Sequence, residues 1–392
     1  MVAVDAIPLP QERSNPLLPA DAYQEINGRP VRVRIRDGST PWMFSKYEEV
    51  RHILNDMETF SVDNHSPYHP HLSKTSSTGF ITLPFLDIPD HPRVRKSVQR
   101  EFTHHRIKSH RDKIEHRVHQ LLDVMEEHGP PFDFLNGFAI PFPVGVLCDL
   151  FGLPESEQRE FVGNASTILL PDATREQAAH GMTSVVQYVE SFVSSPCRPP
   201  GLVDRVVQHV TDTGCISHSE LQGLIRTVLF AGHETTTRAL GLGVLALFQN
   251  RDQLPQLMAD PANAVEEILR HQTIFHLGMG LFAKESTELG GIRLDPGDGV
   301  VASFVGANHD KEVFPHPHRL HLARENASKS VALGHGPHEC LGGNLAHLEL
   351  QIAFASLFER FPNLRLAVDQ SRLTFQDSGI LYGVAGRMPV TW

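Results

Sequence analysis

A mainly α-helical chain with a few short β elements is what the order of apolar and polar residues predicts. Three observations carry that expectation. From Arg106 to about Phe192 apolar residues recur at helical spacing, broken at Gly129-Pro130-Pro131 and Gly152-Leu153-Pro154. A capping box, Ser217 to Glu220, then opens an apolar stretch toward Gln249, a helix of about thirty residues and twice the usual globular length. Period-2 alternation, the mark of a half-exposed strand, is confined to short runs such as Val31 to Ile35.

The remaining elements follow in order. Residues 1–20 are rich in proline and are expected to lie irregularly over the surface. After Val31 to Ile35, Asp37-Gly38 supplies a turn and Trp42-Met43-Phe44 reads as the returning strand of a hairpin. Tyr47 to Leu54 has the spacing of a short amphipathic helix. Ser61 to Thr82 is polar, aperiodic and rich in His, Ser and Pro, and a loop this long is expected to serve as a lid over a binding site. Pro89 and Pro92 lie near a helix start, on which His91 and Arg95, four residues apart, share one face. Two basic groups so placed suit a pair of carboxylates, although ordinary surface charge accounts for them equally well in isolation. Pro196 to Gly201 is a loop ahead of the long helix, and Ala264 to Arg270 is helical, with Glu267 and Arg270 spaced to pair. Leu289 to Ile292 and Pro296 to Asp298 read as strand–turn–strand.

Composition bounds the partners. The chain has 392 residues, enough for one large or two ordinary domains, and is 40% hydrophobic and 21% charged. A formal net charge of −11 argues against nucleic acid as the main partner. No apolar run reaches the ~18–20 residues of a membrane helix. The start, M-V-A-V-D-A-I-P, lacks the basic and apolar regions of a signal peptide, so a cytoplasmic protein is expected. Cys148, Cys197, Cys215 and Cys340 are too widely spaced for a disulfide framework or a paired metal site, which agrees with a reducing compartment.

Two stretches carry chemistry. At the centre of the long helix stands A-G-H-E-T-T-T, Ala231 to Thr237, and polar residues inside so apolar a helix need a reason. Thr235 is able to bond back to a carbonyl one turn earlier, and Gly232 removes bulk where something approaches the backbone. A metalloprotease reading of His233-Glu234 fails because position 237 is Thr where a second His is required. The other stretch is Ser330 to Leu350. Cys340 sits among Gly334, Gly336, Gly342 and Gly343, and a helical pattern (Leu345, Leu348, Ile352, Phe354) follows at once. The glycines admit a bulky flat group, and a helix start behind the sulfur stabilises a thiolate. Such a cysteine is either a buried structural residue or an iron ligand. His338, two residues upstream, would reach an anionic group at the edge of a planar cofactor.

These segments together resemble the cytochrome P450 family. G-H-G-P-H-E-C-L-G-G-N-L-A is similar to its haem-binding loop, with Leu333 in place of the aromatic residue, and A-G-H-E-T to its oxygen-activation motif. Glu267 and Arg270 resemble its structural ion pair, which Arg324, closing the meander Ala307 to Arg324, would complete. The His91–Arg95 spacing resembles the segment that binds the haem propionates, and R-M-P-V-T-W the final strand. The resemblance covers roughly Arg29 to Trp392. It implies a single cytochrome P450 domain over 1–392, with a long central helix and small β-sheets around one haem b whose iron takes Cys340. By the same resemblance His91, Arg95, Ala231, Gly232, His338, Cys340 and Gly342 contact the cofactor, and Glu234 and Thr235 steer protons. The family's propionate arginine, and the usual proline beside it, are missing between Arg270 and Arg293; His276 and Lys284 are the candidate substitutes. His316, His318 and His321 fall where the family has surface acidic residues, which disfavours a metal cluster.

The implied activity is a bacterial-type monooxygenase that inserts one atom of O2 into an apolar organic substrate, by default a specialised metabolite. Electrons would come from a ferredoxin and its reductase, docked on Lys96, Arg100 and Arg106. Phe80, Phe85, Thr227, Phe230, Phe275 and Leu381 are the expected substrate pocket. Two other classes stay open: a haem-thiolate enzyme of non-hydroxylating chemistry (ring formation, coupling, peroxide-driven turnover) and a non-catalytic haem sensor. Glu234 and Thr235 together speak against the sensor, which needs no proton relay.

Overall fold

Helices dominate, and the strands are short. The structure, a computed structural model, describes residues 6–26, 28–72, 83–154, 156–158, 160–161, 163–164, 174–377 and 381–392. It divides into two units, one of residues 1–92, 263–340 and 377–382, the other of residues 93–262, 341–376 and 383–392.

The first unit is built on a six-stranded sheet. Its order is Ile7–Pro8, Val31–Arg34, Trp42–Phe44, Gly299–Ala302, Met279–Ala283 and Phe60–Ser61. The expected hairpin is present, with Val31 opposite Met43 and Arg32 opposite Trp42. The amino-terminal segment is more ordered than its prolines suggest. Ile7 and Pro8 add a parallel edge strand beside Val33 and Arg34, a place where a residue without an N–H is tolerated. Tyr47–Asn55 is helical, and its apolar face (Tyr47, Val50, Ile53, Leu54) packs into a core with Phe44, Phe60, Leu281, Val300 and Phe314. Thr287–Leu289 and Ile292–Leu294 pair antiparallel through Gly290 and Gly291. Those two glycines have φ of +59° and +74°, the consecutive left-handed residues of a tight hairpin turn. Residues 62–72 of the expected lid contain neither helix nor strand, whereas 73–82, Phe80 among them, lie outside the described residues.

The second unit is helical, with Arg111–His128, Pro141–Phe151, Arg175–Ser194, Leu202–Thr213, His218–Gln249 and Gly343–Arg360 as its main members. The long helix runs 32 residues, and both halves of its capping box are made. Ser217 Oγ accepts from the Glu220 amide at 3.2 Å, and Glu220 Oε2 accepts from the Ser217 amide at 2.7 Å. Its residues from Thr236 to Leu247 are all buried, so over that span the helix is enclosed on every side rather than amphipathic. Pro141–Phe151 and Gly343–Arg360 pack against it. The carboxy-terminal strand Pro389–Thr391 lies between Arg365–Leu366 and Phe132–Asp133. Among the described residues, no helix is long and apolar enough to cross a membrane.

Candidate active site

The cysteine loop of the first unit is shaped by its own backbone. Gly334 and Gly336 have φ of +80° and +72°, and a Cβ on Gly336 would stand 2.7 Å from the carbonyl oxygen of Leu54. Neither position takes a side chain without strain. The Cys340 amide donates to the Leu333 carbonyl at 2.8 Å, which closes the loop. Cys340 itself is exposed and in no disulfide, two residues ahead of Gly342, the N-cap of Gly343–Arg360. Gly342 has an ordinary φ of −85°, a backbone conformation open to any residue.

What holds the loop is a chain of buried polar contacts. Glu267 accepts from Arg270 Nε at 2.7 Å and Nη2 at 2.9 Å, from Arg324 Nε at 2.9 Å and from the His321 amide at 2.9 Å. Two guanidinium groups face one carboxylate, and the excess donors go to carbonyls, Arg270 to Pro317 and Arg324 to Pro315. The next link is Arg270 Nη1, which donates to the Asn308 carbonyl at 2.7 Å. The Asn308 side chain donates to Thr273 Oγ1 at 2.9 Å and accepts from the Val331 amide at 2.8 Å, at the start of the cysteine loop. The Glu267–Arg270 pair expected from spacing and the Arg324 contact that the resemblance implied are therefore present, and their output is the placement of Val331. Burial, with the positive field of Arg270 second, lowers the nearby His271 to about 4, while His309 is pushed well below the ordinary imidazole range.

His91 is buried, and its ring lies 3.9 Å from that of His338, inclined at 32°. Arg95 is half-buried, one turn further along the helix Asp90–Val98. Two imidazoles brought together from separate parts of the sequence suit an anionic edge. An exposed thiol ahead of an 18-residue helix, on a loop free of bulk at Gly334 and Gly336, fits a haem with that edge as its propionates.

The second unit carries the polar centre of the long helix. Thr235 Oγ1 donates to the Ala231 carbonyl at 2.6 Å, the expected back-bond. Gly232 lies against a neighbouring helix. A Cβ there would meet the Leu147 methyl carbons at 3.1 and 3.2 Å, so the missing side chain accommodates helix packing. Glu234 is not left buried and alone: Oε1 accepts from Arg238 Nη2 at 2.8 Å and Nε at 3.2 Å. His233 is buried and held below its ordinary range by burial, its Nδ1 donating to the Leu229 carbonyl at 3.4 Å. One turn away Thr236 Oγ1 donates to Glu349 Oε2 at 3.3 Å. Burial raises the Glu349 carboxyl well above the carboxylate range, which favours its uncharged form. Sequence reasoning passed over Arg238 and Glu349. The signals were available as a basic residue four after Glu234 and as a lone acid within the apolar run after Cys340.

Other expected residues are placed as follows. Lys284, a candidate for the place of the missing arginine, donates from its ammonium to the Met57 carbonyl at 2.7 Å. His276 is buried against the ring of Tyr382, over which Arg13 stacks at 3.9 Å. Phe275 packs on Phe304 and the aromatic core of the first unit, so part of its surface is plain core. Phe85 is half-buried, edge-on to His69, and Leu381 is buried. Thr227 bonds back to the Gly223 carbonyl at 2.8 Å, and Phe230 is half-buried on the same helix. Among the described residues no cluster of three or more potential metal ligands forms, His316, His318 and His321 included.

Comparison with known proteins supplies the family. The model described as Cytochrome P450 matches residues 256–382. Cytochrome P450-SU2 of Streptomyces griseolus is 33% identical over 99% of this chain and 98% of its own length. Pentalenic acid synthase of Streptomyces avermitilis is 33% identical, covering 98% of this chain and 97% of that protein. A crystal structure of GfsF superposes with a TM-score of 0.94 at 31% identity, over 99% of this chain and 100% of that one.

Proposed function

The chain belongs to the cytochrome P450 family of haem-thiolate monooxygenases, and from that premise we propose that Cys340 is the thiolate that holds its haem b. The observation that carries the assignment is the exposed thiol on a loop whose start is fixed, through Asn308, to a buried ion-pair network. Bound haem would supply the reductive activation of dioxygen, with O–O cleavage favoured by the thiolate. The chain's own side chains do the rest. His91, Arg95 and His338 hold the carboxylate edge. Thr235, whose proton is committed to the Ala231 carbonyl, offers its oxygen as an acceptor, and Glu234 passes protons from solvent.

The substrate in this reading is an apolar organic molecule. Members of this family tailor natural products, and we assign a specialised metabolite to this chain on that basis. We further propose an acidic ferredoxin as electron donor. Arg100, Arg106 and Arg205 surround the buried carboxylate of Glu101 at 3.6, 3.4 and 2.8 Å. Three cations on one anion leave a basic surface beside exposed Lys96, on a chain whose net charge is −11.

The test is the carbon monoxide difference spectrum of the dithionite-reduced protein beside Cys340→Ser. A far-red-shifted Soret band, lost in the variant, is expected. A native band at the position of histidine-ligated haem, or one that survives the substitution, overturns the assignment. Thr235→Ala then separates oxygenase from peroxide chemistry. Dioxygen-driven product formation should become uncoupled while peroxide-driven turnover barely changes.

A further inference from the structure

We propose that Arg238 is a positioning residue for proton delivery, pinning the Glu234 carboxylate to one rotamer at the solvent edge of the long helix. The inference rests on the reading of Glu234 given above and adds to it the group that controls that acid. Both Arg238 donors fall on the same oxygen, Oε1, so Oε2 is left to meet water and to carry a proton. The acid keeps 29% of its side chain exposed, whereas Arg238 keeps 8%. An exposed glutamate alone would sample several rotamers, and its buried partner removes that freedom.

Arg238 is itself clamped from a part of the chain about 140 residues away in sequence. Its Nη1 donates to the Gln376 carbonyl at 3.4 Å. Its stem lies on Gly383, where a Cβ would stand 2.9 Å from Arg238 Cγ and 3.0 Å from Arg238 Cβ. Any larger residue at 383 would therefore push the guanidinium stem aside. Thr235 points its hydroxyl one turn toward the helix start, at Ala231, while Glu234 is drawn one turn the other way. The two relay groups are thus held apart along the helix axis. A proton taken up at Oε2 from one solvent water is given up from the same oxygen to a second water, after which the carboxylate again pairs with Arg238 alone.

The experiment uses the haem-loaded protein with Arg238→Met, Arg238→Lys and Gly383→Ala, each also combined with Glu234→Gln. The carboxylate stretch of Glu234, located by infrared difference against Glu234→Gln, should move in Arg238→Met and lie nearer its native position in Arg238→Lys. This readout needs no turnover. Product formed per dioxygen consumed should fall roughly 10-fold in Arg238→Met, a part of what a positioned acid contributes. It should fall less in Arg238→Lys and also in Gly383→Ala, where charge is kept but the stem is displaced. In the Glu234→Gln background the Arg238 changes should cost nothing further. An unmoved infrared band, or losses that add to those of Glu234→Gln, overturns the role of Arg238. A native protein that forms no oxygenated product at all overturns the functional reading and the delivery role with it.

Discussion

Glutamine at position 267 keeps the shape of the side chain and removes one charge from the most enclosed polar cluster in the first unit. Glu267 and Arg270 are fully buried and Arg324 is 6% exposed. The carboxylate accepts four hydrogen bonds there, three of them from guanidinium groups. An amide accepts through one atom only, and its NH2 would face a guanidinium donor. Two buried cations would then sit together without a counter-charge. Breaking a buried pair in this way costs about 3–5 kcal/mol. For a chain of 392 residues that is a fall in unfolding midpoint of about 4–6 °C, scaled from the entropy of unfolding per residue. The damage should extend to the cysteine loop, because Arg270 also carries Asn308, which holds Val331. Thermal unfolding followed by circular dichroism, at one scan rate, reads the first effect, and haem retained per protein reads the second. Glu312→Gln is the control: its pair with Lys46 is long, at 3.7 Å, and exposed on both sides, so a change within about 0.5 kcal/mol is expected. Equal midpoints for Glu267→Gln and the control would refute the claim that this network holds the unit together.

Three further expectations follow from charge and burial. His271 titrates near 6.5 in the unfolded chain and near 4 in the fold, so between those values the unfolded state binds the extra proton. Stability should therefore drop as pH falls from 6.5 toward 4, by about 3 kcal/mol in the limit, and His271→Gln should flatten the midpoint-against-pH curve by one proton; an unchanged slope sinks the assignment. Glu349 behaves in the opposite sense. Its carboxyl is raised by burial, the unfolded chain ionises first, and stability is lost as pH climbs above the ordinary carboxylate range. Glu349→Gln should accordingly be more stable than the native protein at pH 8, by denaturant titration, and a less stable variant would overturn the upward shift. Lys96→Glu with Arg100→Glu should slow haem reduction by an acidic ferredoxin several-fold at low salt and leave substrate affinity unchanged; equal reduction rates across salt concentrations would remove the docking face.

Chemistry that closes within one or two turns of backbone was legible from residue order alone. The capping box Ser217–Glu220, the hairpin through Asp37-Gly38, the Glu267–Arg270 pair and the Thr235 back-bond depend on spacings that the helical or extended period sets. The cysteine loop was legible for the same reason, since its glycines, its closing hydrogen bond and the helix behind it lie within a few residues of Cys340.

Contacts between distant parts of the chain were decided by packing. The glycine at 232 answers to Leu147, Lys284 to the Met57 carbonyl, and His91 to the ring of His338, pairings that no local period encodes. Arg238 shows the division within one side chain. Its spacing of four from Glu234 is written in the sequence, and the ion pair follows from the helical period. Its burial comes from Gln376 and Gly383. Only when those two residues cover the guanidinium, excluding water and alternative rotamers, does a surface charge pair become a fixed one.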